Sequence, residues 1–520
     1  MLEGIKIESI KSPFARGLVI DKGVHLLPPS YTPYAKNIRV RNATTIRRDG
    51  YKKVFDGKKS MQIDEMISVE DRLYAVSEKR LWKVKLEEHP AILEQTAVTN
   101  INAITGILKF WRRILLLNGT SSGSAYDTQA NTVTPLTIEN GANPRFWETY
   151  EQCIYLAWGG AKSNILYKST VWGEGTALPI FQENKQPKEP RESEQIPFRS
   201  KITGLCATRE KLFVFTEDSV EVIQDSQTWG LTHKVSIPIA GMNEPANPKM
   251  IVKADDRVFF WTKENMMKSL NYMQGVTETA IWDITERANL SIKGFIDSLD
   301  EDQSSSFGYY HKKNKTVHWH LRLKGEPYTT VVLVYDVNAD SFFVDTNKYF
   351  TCIVNHKLWY YAGSSNQQII YEDEVGNSDD GQQIQRERRT AVLSLWSPLY
   401  RKEFREINIY GEKEDDVNIQ ISVLVDWKSV YEGEIKAIEW PISWYVSTPA
   451  WSSPVAREVA STSIKAFEFA ITRGFLRARG KKIQVVFKGN SFWEFCLSGL
   501  EIWYKDLYEN DPKDKSRFTS

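Results

Sequence analysis

Two groupings of residues in this 520-residue chain have types and spacings that could do chemistry. His318-Trp319-His320 puts two imidazoles on one face if the segment is a strand, because strand side chains repeat every second residue. Such a pair can begin a metal site. No third ligand is identifiable in the sequence, and the chain has 7 His in all, so the pair is read as structural and no metal is assigned. The second grouping is basic. Arg386, Arg388 and Arg389 stand close together, and Arg473, Arg477, Arg479, Lys481 and Lys482 surround Gly474 and Gly480 just before a strand. Clusters of this kind contact a phosphate backbone or an acidic face of a partner subunit. They also serve as solvated strand edges, where positive charge discourages aggregation. These eight residues are the candidate DNA- or subunit-contacting set.

Enzyme signatures are missing from the sequence. It contains no GxSxG, no Gly-rich phosphate loop and no HExxH. Glycoside hydrolysis needs two carboxylates in one pocket, and no arrangement of Asp and Glu singles out a pair. The stretch Ser378-Asp379-Asp380-Gly381 is similar to the Ser-x-Asp-x-Gly-x-Thr-Trp box of sialidase-like propellers, but it occurs once and lacks the Thr-Trp end. No catalytic residue and no cofactor are assigned, and a non-enzymatic role is expected.

These residues must be positioned by a fold, and composition narrows which. With 41% hydrophobic and 12% aromatic residues the chain can build real cores and is not largely disordered. Aromatic richness (Trp 17, Tyr 23, Phe 23) favours strands. Lys+Arg 67 against Asp+Glu 66 leaves a net charge of +1, without the basic excess of a dedicated nucleic-acid binder, and near-neutrality removes one brake on self-association. Cys153, Cys206, Cys352 and Cys496 make no CxxC pair, so they read as four reduced thiols. The opening residues lack an apolar signal core, and no stretch is long and apolar enough for a transmembrane helix, so a soluble protein made in a cytoplasm is expected.

One pattern recurs along the chain. A polar cluster, often with Lys or Arg, precedes a short aromatic and aliphatic strand, and a polar turn and a second strand follow. Leu73, Ile114, Ile154, Leu212, Val258, Val317 and Leu358 anchor seven copies, spaced 41, 40, 58, 46, 59 and 41 residues apart. A four-stranded propeller blade occupies about 40–50 residues. The anchor strand is apolar on both faces and should lie between neighbouring blades; the strand after it often alternates, as in Leu81-Trp82-Lys83-Val84-Lys85. The expected fold is therefore all-β, a β-propeller of six or seven blades, with the N-terminal strands able to complete the last one. The polar, Pro-rich stretch 182–199 accounts for one long spacing and reads as a loop.

The expected domains are an N-terminal arm with its first strands (1–60), propeller repeats (61–375), a linker (376–388), a C-terminal β-sandwich-like domain (389–508) and a charged tail (509–520). Alternating segments such as Glu406 to Tyr410, Val417 to Val423, Ala466 to Ala470 and Lys482 to Phe487 support the sandwich, with a last pair of strands at 492–497 and 500–504. Trp440 to Pro454 reads as an exposed insertion.

The order of elements resembles a family. Leu27-Pro28-Pro29, then Ala35-Lys36-Asn37-Ile38-Arg39-Val40, then Arg47-Arg48-Asp49-Gly50, all before a propeller, are similar to the opening of tail nozzle, or packaged-DNA stabilisation, proteins of short-tailed phages. The stretches 477–487 and 497–502 also look like the end of such chains. The resemblance extends end to end in layout and over about 35 residues in motif. It implies a virion structural protein in the tail, a subunit of a homohexameric ring that closes the DNA exit channel until ejection. The implied partners are further copies of the chain, tail tube or adaptor proteins, tail fibres or spikes, and packaged double-stranded DNA contacted without sequence specificity. It carries over no catalytic residue. Two other readings remain open on the sequence: a carbohydrate-binding or glycan-cleaving propeller, and a monomeric scaffold propeller.

Overall fold

The computed structural model describes residues 5–507, outside connecting segments of which the longest are 170–193 and 435–467. Six four-stranded antiparallel sheets and a seventh, extended to six strands by a short hairpin, form the blades of a propeller. Blades 1 to 6 span residues 65–95, 106–135, 144–197, 202–238, 251–283 and 307–346, each with its strands in sequence order. Blade 7 takes three strands from residues 350–373, and its fourth is Tyr51–Asp56 from the other end of the propeller. The innermost strands touch in order around the circle, and Phe350–His356 of blade 7 closes it against Glu65–Val69 of blade 1. The blade number left open by the sequence is thus seven, and a strand N-terminal to the repeats closes the ring.

The repeat pattern follows from how blades stack. A single sheet cannot bury its own faces, so each second strand must be apolar on both. In Arg113–Leu117, Ile114 and Leu116 pack toward blade 1, while Leu115 and Leu117 pack toward blade 3. Seven apolar clusters fill the seven interfaces between neighbouring blades. The cluster between blades 6 and 7 is the slightest, with Phe307, Phe350 and Ala362 as its buried apolar members. Six of the seven anchors are buried; Leu358 is 86% exposed. His356 pairs with Trp359, so Lys357 and Leu358 form the hairpin turn, with Lys357 at φ 59°. Tyr360 stands in the anchor's place, and the apolar run Leu358-Trp359-Tyr360 misled the sequence alignment.

The second domain is a sandwich of two sheets, built from both ends of the chain. We label the first strands β1 (Ile5–Lys11), β2 (Tyr34–Lys36), β3 (Ile38–Arg41), β4 (Thr44–Arg47) and β5 (Tyr51–Asp56). One sheet runs β3, β4, Phe495–Leu507, Arg401–Lys413, Glu468–Gly480, with β1 also paired to Phe495–Leu507. The other runs β2, Arg386–Arg389, Ile483–Gly489, Ile419–Val425, Lys428–Glu434. Their inner faces share a core that includes Phe404, Ile407, Val423, Val485 and Ile502.

Several sequence boundaries move. Of residues 1–60, the described strands β1, β2, β3 and β4 belong to the sandwich and β5 to blade 7. The stretch read as a linker holds a two-residue hairpin, Ser378–Asp379 with Gln382–Gln383, and then the strand Arg386–Arg389. Within the stretch read as a loop, Glu194–Pro197 is the outer strand of blade 3. The two closing strands of the sandwich are one strand, Phe495–Leu507. The insertion 440–454 and the tail 509–520 lie outside the described residues. No described helix is long and apolar enough to cross a membrane.

Candidate functional site

Polar and charged side chains concentrate where the apolar filling is thinnest, at blades 6 and 7 and the seam with the sandwich. At Asn37, between β2 and β3, the chain crosses back from the second sandwich sheet to the first. Asn37 is fully buried at φ 57°, a left-handed conformation that Asn tolerates better than most residues. Its side chain donates to the Gln385 carbonyl (2.6 Å) and the Thr346 hydroxyl (3.1 Å), and accepts from the Thr346 N–H (2.9 Å) and Arg48 Nε (2.9 Å). Its backbone N–H bonds to the Val344 carbonyl of blade 6.

Arg48 follows β4 and has no exposed side-chain surface. All five of its N–H donors are used. Nε goes to Asn37, Nη1 to the Asp49 carbonyl and Asp379 Oδ1 (both 2.9 Å), and Nη2 to the Thr346 carbonyl (3.0 Å) and Asp379 Oδ2 (2.6 Å). Asp379 belongs to the supposed linker and pairs through its backbone with Tyr51 of blade 7. Gly50 lies against the same segment. A Cβ on Gly50 would overlap the Ser378 carbonyl oxygen and come within 2.6 Å of its carbon.

Two further cations complete the seam. Arg39 of β3 grips Asp345 of blade 6 with both Nη atoms, at 2.7 and 2.5 Å. Lys348, fully buried between blades 6 and 7, reaches Asp373 at 2.7 Å and Glu374 at 3.0 Å. Arg39, Arg48 and Lys348 are three cations facing four carboxylates: Asp345, Asp373, Glu374 and Asp379. Burial and the neighbouring Glu374 leave Asp373 above the usual carboxylate range, while Lys348 and Arg39 hold Glu374 below it against the effect of its burial. Burial opposes the charge on Lys348, but the two carboxylates keep its pKa above the ordinary lysine value.

The histidine pair sits beside this network. His318 is 1% exposed, with the Tyr309 hydroxyl on Nδ1 at 3.0 Å and the Thr316 hydroxyl on Nε2 at 2.8 Å. Tyr309 also donates to Asp373 at 3.2 Å. Both nitrogens of His318 are thus occupied by hydroxyls, the arrangement of a structural histidine. His320 stacks flat on Phe307 at 4.5 Å. Burial pushes both imidazoles well below their ordinary pKa, so both are neutral. Through the Arg39 and Arg48 ion pairs the seam ties β3 and the end of β4 in the sandwich to blades 6 and 7.

The basic candidates are divided by the fold. Arg386 and Arg388 are buried, not displayed: on a strand flanked by two others, alternate side chains turn inward. Arg388 lies over the Phe487 ring at 5.2 Å. Arg389 is partly exposed, lies over Tyr34 at 4.8 Å and binds Glu387 at 2.8 Å. Arg473 and Arg477 stand on Glu468–Gly480, and their side chains lie outside the described residues. Arg479 and Lys481 are exposed and Lys482 half-buried, around a turn where the Asp426 carboxylate accepts the Lys481 and Lys482 N–H groups at 3.0–3.1 Å. Arg386 pairs with Gly489, whereas Lys482 precedes Ile483, so the clusters flank opposite ends of one seven-residue strand. At about 3.3 Å per residue they stand about 20 Å apart.

The sequence analysis missed Arg39, Asp345, Arg48, Asp379, Lys348, Asp373 and Glu374 as a set. Three of them were quoted in motifs, but their partners stand some 300 residues away.

No protein-family model matches the chain, and no curated protein matches it in sequence. Solved structures do. The WD40 β-propeller domain of Doa1 matches at 10% identity over 62% of this chain and 97% of that one, with a TM-score of 0.39. The N-terminal domain of Nup159 matches at 8% identity over 65% and 98%, with a TM-score of 0.41. The computationally designed Ika8 protein matches at 10% identity over 65% and 95%, with a TM-score of 0.37. The assignment as a propeller rests on the strand pairing itself.

Proposed function

We propose that the chain is a structural subunit of a phage tail, a nozzle or hub protein that forms a ring, closes the DNA exit channel and retains packaged DNA until ejection. The observation that carries this reading is the use made of the motif residues. Asn37, Arg39, Arg48 and Gly50, on which the resemblance to tail nozzle proteins rests, converge on the seam between propeller and sandwich. A ring that resists a pressurised polymer must pass load between its domains, and a stiff joint serves that end. The sandwich adds to this support, because the first and last described strands, β1 and Phe495–Leu507, are paired in one sheet. In this reading the protein resides in the virion tail and meets further copies of itself, tube or adaptor proteins, fibres or spikes, and double-stranded DNA. It needs no catalytic residue. In this reading the described basic candidates with exposed or half-buried side chains, Arg389, Arg479, Lys481 and Lys482, contact DNA or a neighbouring subunit.

The alternative is a glycan-binding or glycan-cleaving propeller, and its cleaving form requires paired carboxylates facing a cleft. Asp345, Asp373, Glu374 and Asp379 instead bind Arg or Lys in the interior. The deciding experiment is solution mass by light scattering coupled to size exclusion, with and without candidate tail partners. A closed ring of about six copies is the expected result, formed through head-to-tail interfaces. A strict monomer under every condition, with glycan binding, would replace this reading by the alternative.

A further inference from the structure

Three hairpin tips carry large apolar residues where turns favour small or polar ones. Trp427 is 62% exposed at φ 70°, in the two-residue loop between Ile419–Val425 and Lys428–Glu434 of the sandwich. Trp111 is 44% exposed at φ 54°, in the loop between the first two strands of blade 2. Leu358 is 86% exposed in the corresponding loop of blade 7, and Trp359 follows it at 51%. A bulky side chain at positive φ is a strained choice, and apolar surface left in water adds nothing to a core. We infer that the Trp427 tip of one copy docks on the propeller tips of the next, and that this is the head-to-tail contact that closes the ring. The inference rests on the ring reading above and names the surfaces that reading requires.

The two surfaces carry opposite charge. Beside Trp427, Lys428 and Lys481 are exposed and Lys482 is half-buried, and none of the three makes an ion pair with a described residue. The carboxylate at this tip, Asp426, is bound to the Lys481 and Lys482 backbone N–H groups. On the propeller, blade 1 stands between blades 7 and 2, so its hairpins separate Leu358 from Trp111. Those hairpins present Glu70, Asp71, Glu87 and Glu88, all exposed. Asp71 and Glu87 lie close enough to act on the imidazole of His356, the residue before the Leu358 loop. Lys357 and Arg72 are the cations beside them, and Arg72 donates to the Thr128 carbonyl at 2.8 Å. Four carboxylates with aromatic and aliphatic flanks thus match a tryptophan ringed by lysines, an apolar anchor with charges that fix its orientation. The sandwich tip also points away from its own propeller. Gln385 accepts from Asn37 in the seam, and Arg386 next to it pairs with Gly489 at one end of Ile483–Gly489. Lys482, whose carbonyl accepts the Asp426 N–H, precedes the other end, about 20 Å further out. Two different surfaces on two domains make a head-to-tail contact, the kind that closes rings.

The test is light scattering of the full chain under the condition in which the wild-type ring forms. Lys481→Glu/Lys482→Glu makes the sandwich tip acidic, and Glu87→Lys/Glu88→Lys makes the blade 1 tip basic. Each variant alone should drop the mass about sixfold, from ring to monomer. Mixed in equal amounts the two should restore the ring, because each copy then meets the opposite charge on both sides. These sites lie on hairpins at the surface, so unchanged thermal melts will show that both variants are folded. Trp427→Asn should leave the melt unchanged or higher, since Asn tolerates positive φ, and should still weaken the ring. A ring that persists in either charge variant, or that the mixture fails to restore, would overturn this contact and leave the ring reading standing. So would an intact ring that has lost binding to a DNA duplex in Lys481→Glu/Lys482→Glu, which would assign those lysines to DNA. A wild-type chain that stays monomeric under every condition would sink the ring reading, and this contact with it.

Discussion

Replacing Arg48 by Met should cost the protein about 3–5 kcal/mol, the range found when one partner of a buried ion pair is removed. The structure places Arg48 at that end of the scale. The substitution deletes five hydrogen bonds at once, two of them to a carboxylate that is 4% exposed. Asp379 would be left buried without its cation, and Asn37 and the Thr346 carbonyl would each lose a donor. Asp379→Asn alone should also destabilise, because the guanidinium is then the unmatched charge. The double variant should cost less than the two single losses added together, by 1–3 kcal/mol, since neither stranded charge remains. Denaturant unfolding followed by tryptophan fluorescence measures all three. The seam joins two domains, so the single variants should also separate one transition into two. A cost under about 1 kcal/mol for Arg48→Met, or strict additivity in the double variant, would refute the assignment of Arg48 as the fastener of the seam.

Gly50→Ala should destabilise by about 1–3 kcal/mol or more, because the new Cβ meets backbone that cannot swing aside, and a shift in the melting temperature will report it. Acid should weaken blades 6 and 7 before most carboxylates titrate. His311 is 3% exposed, stacks on Tyr360 at 4.3 Å and faces His318, and burial lowers its pKa from 6.5 to about 4 despite the nearby Glu374, with Lys348 and Arg39 adding to the fall. The folded pKa lies below the unfolded one, so its share of stability is complete above pH 6.5 and is lost as pH falls toward 4. At about 1.4 kcal/mol per pH unit, that share is about 2 kcal/mol by pH 5, with His318 and His320 adding to it in the same direction. Unfolding free energies measured from pH 7 to 5 should therefore decline; a flat profile would refute it.

How much of this was legible depended on distance along the chain. The second strand of each blade must be apolar on both faces, and that requirement is written in consecutive residues such as Arg113-Ile114-Leu115-Leu116-Leu117. The all-β class could be read from it, and the blade number only as six or seven. The alternation of the sandwich strands was equally local. The failure at Leu358 was also local: an apolar residue in a turn looks like a strand residue until the hairpin register is known.

What sequence alone determined, then, is which segments are strands and which of their faces seek apolar company, because strand propensity and two-residue periodicity are properties of neighbours. Tertiary structure alone decided which strands meet. Tyr51–Asp56 closes blade 7 across about 310 residues, Arg48 finds Asp379 across 331, and β1 pairs with Phe495–Leu507 across nearly the whole chain. It also turned Arg386 and Arg388 inward and set Lys481 and Lys482 against the turn that holds Trp427. A basic residue is free to be a fastener, a lining or a surface charge, and its sequence neighbours do not distinguish these. The choice falls to the strand register and to the buried carboxylate that the fold brings within reach.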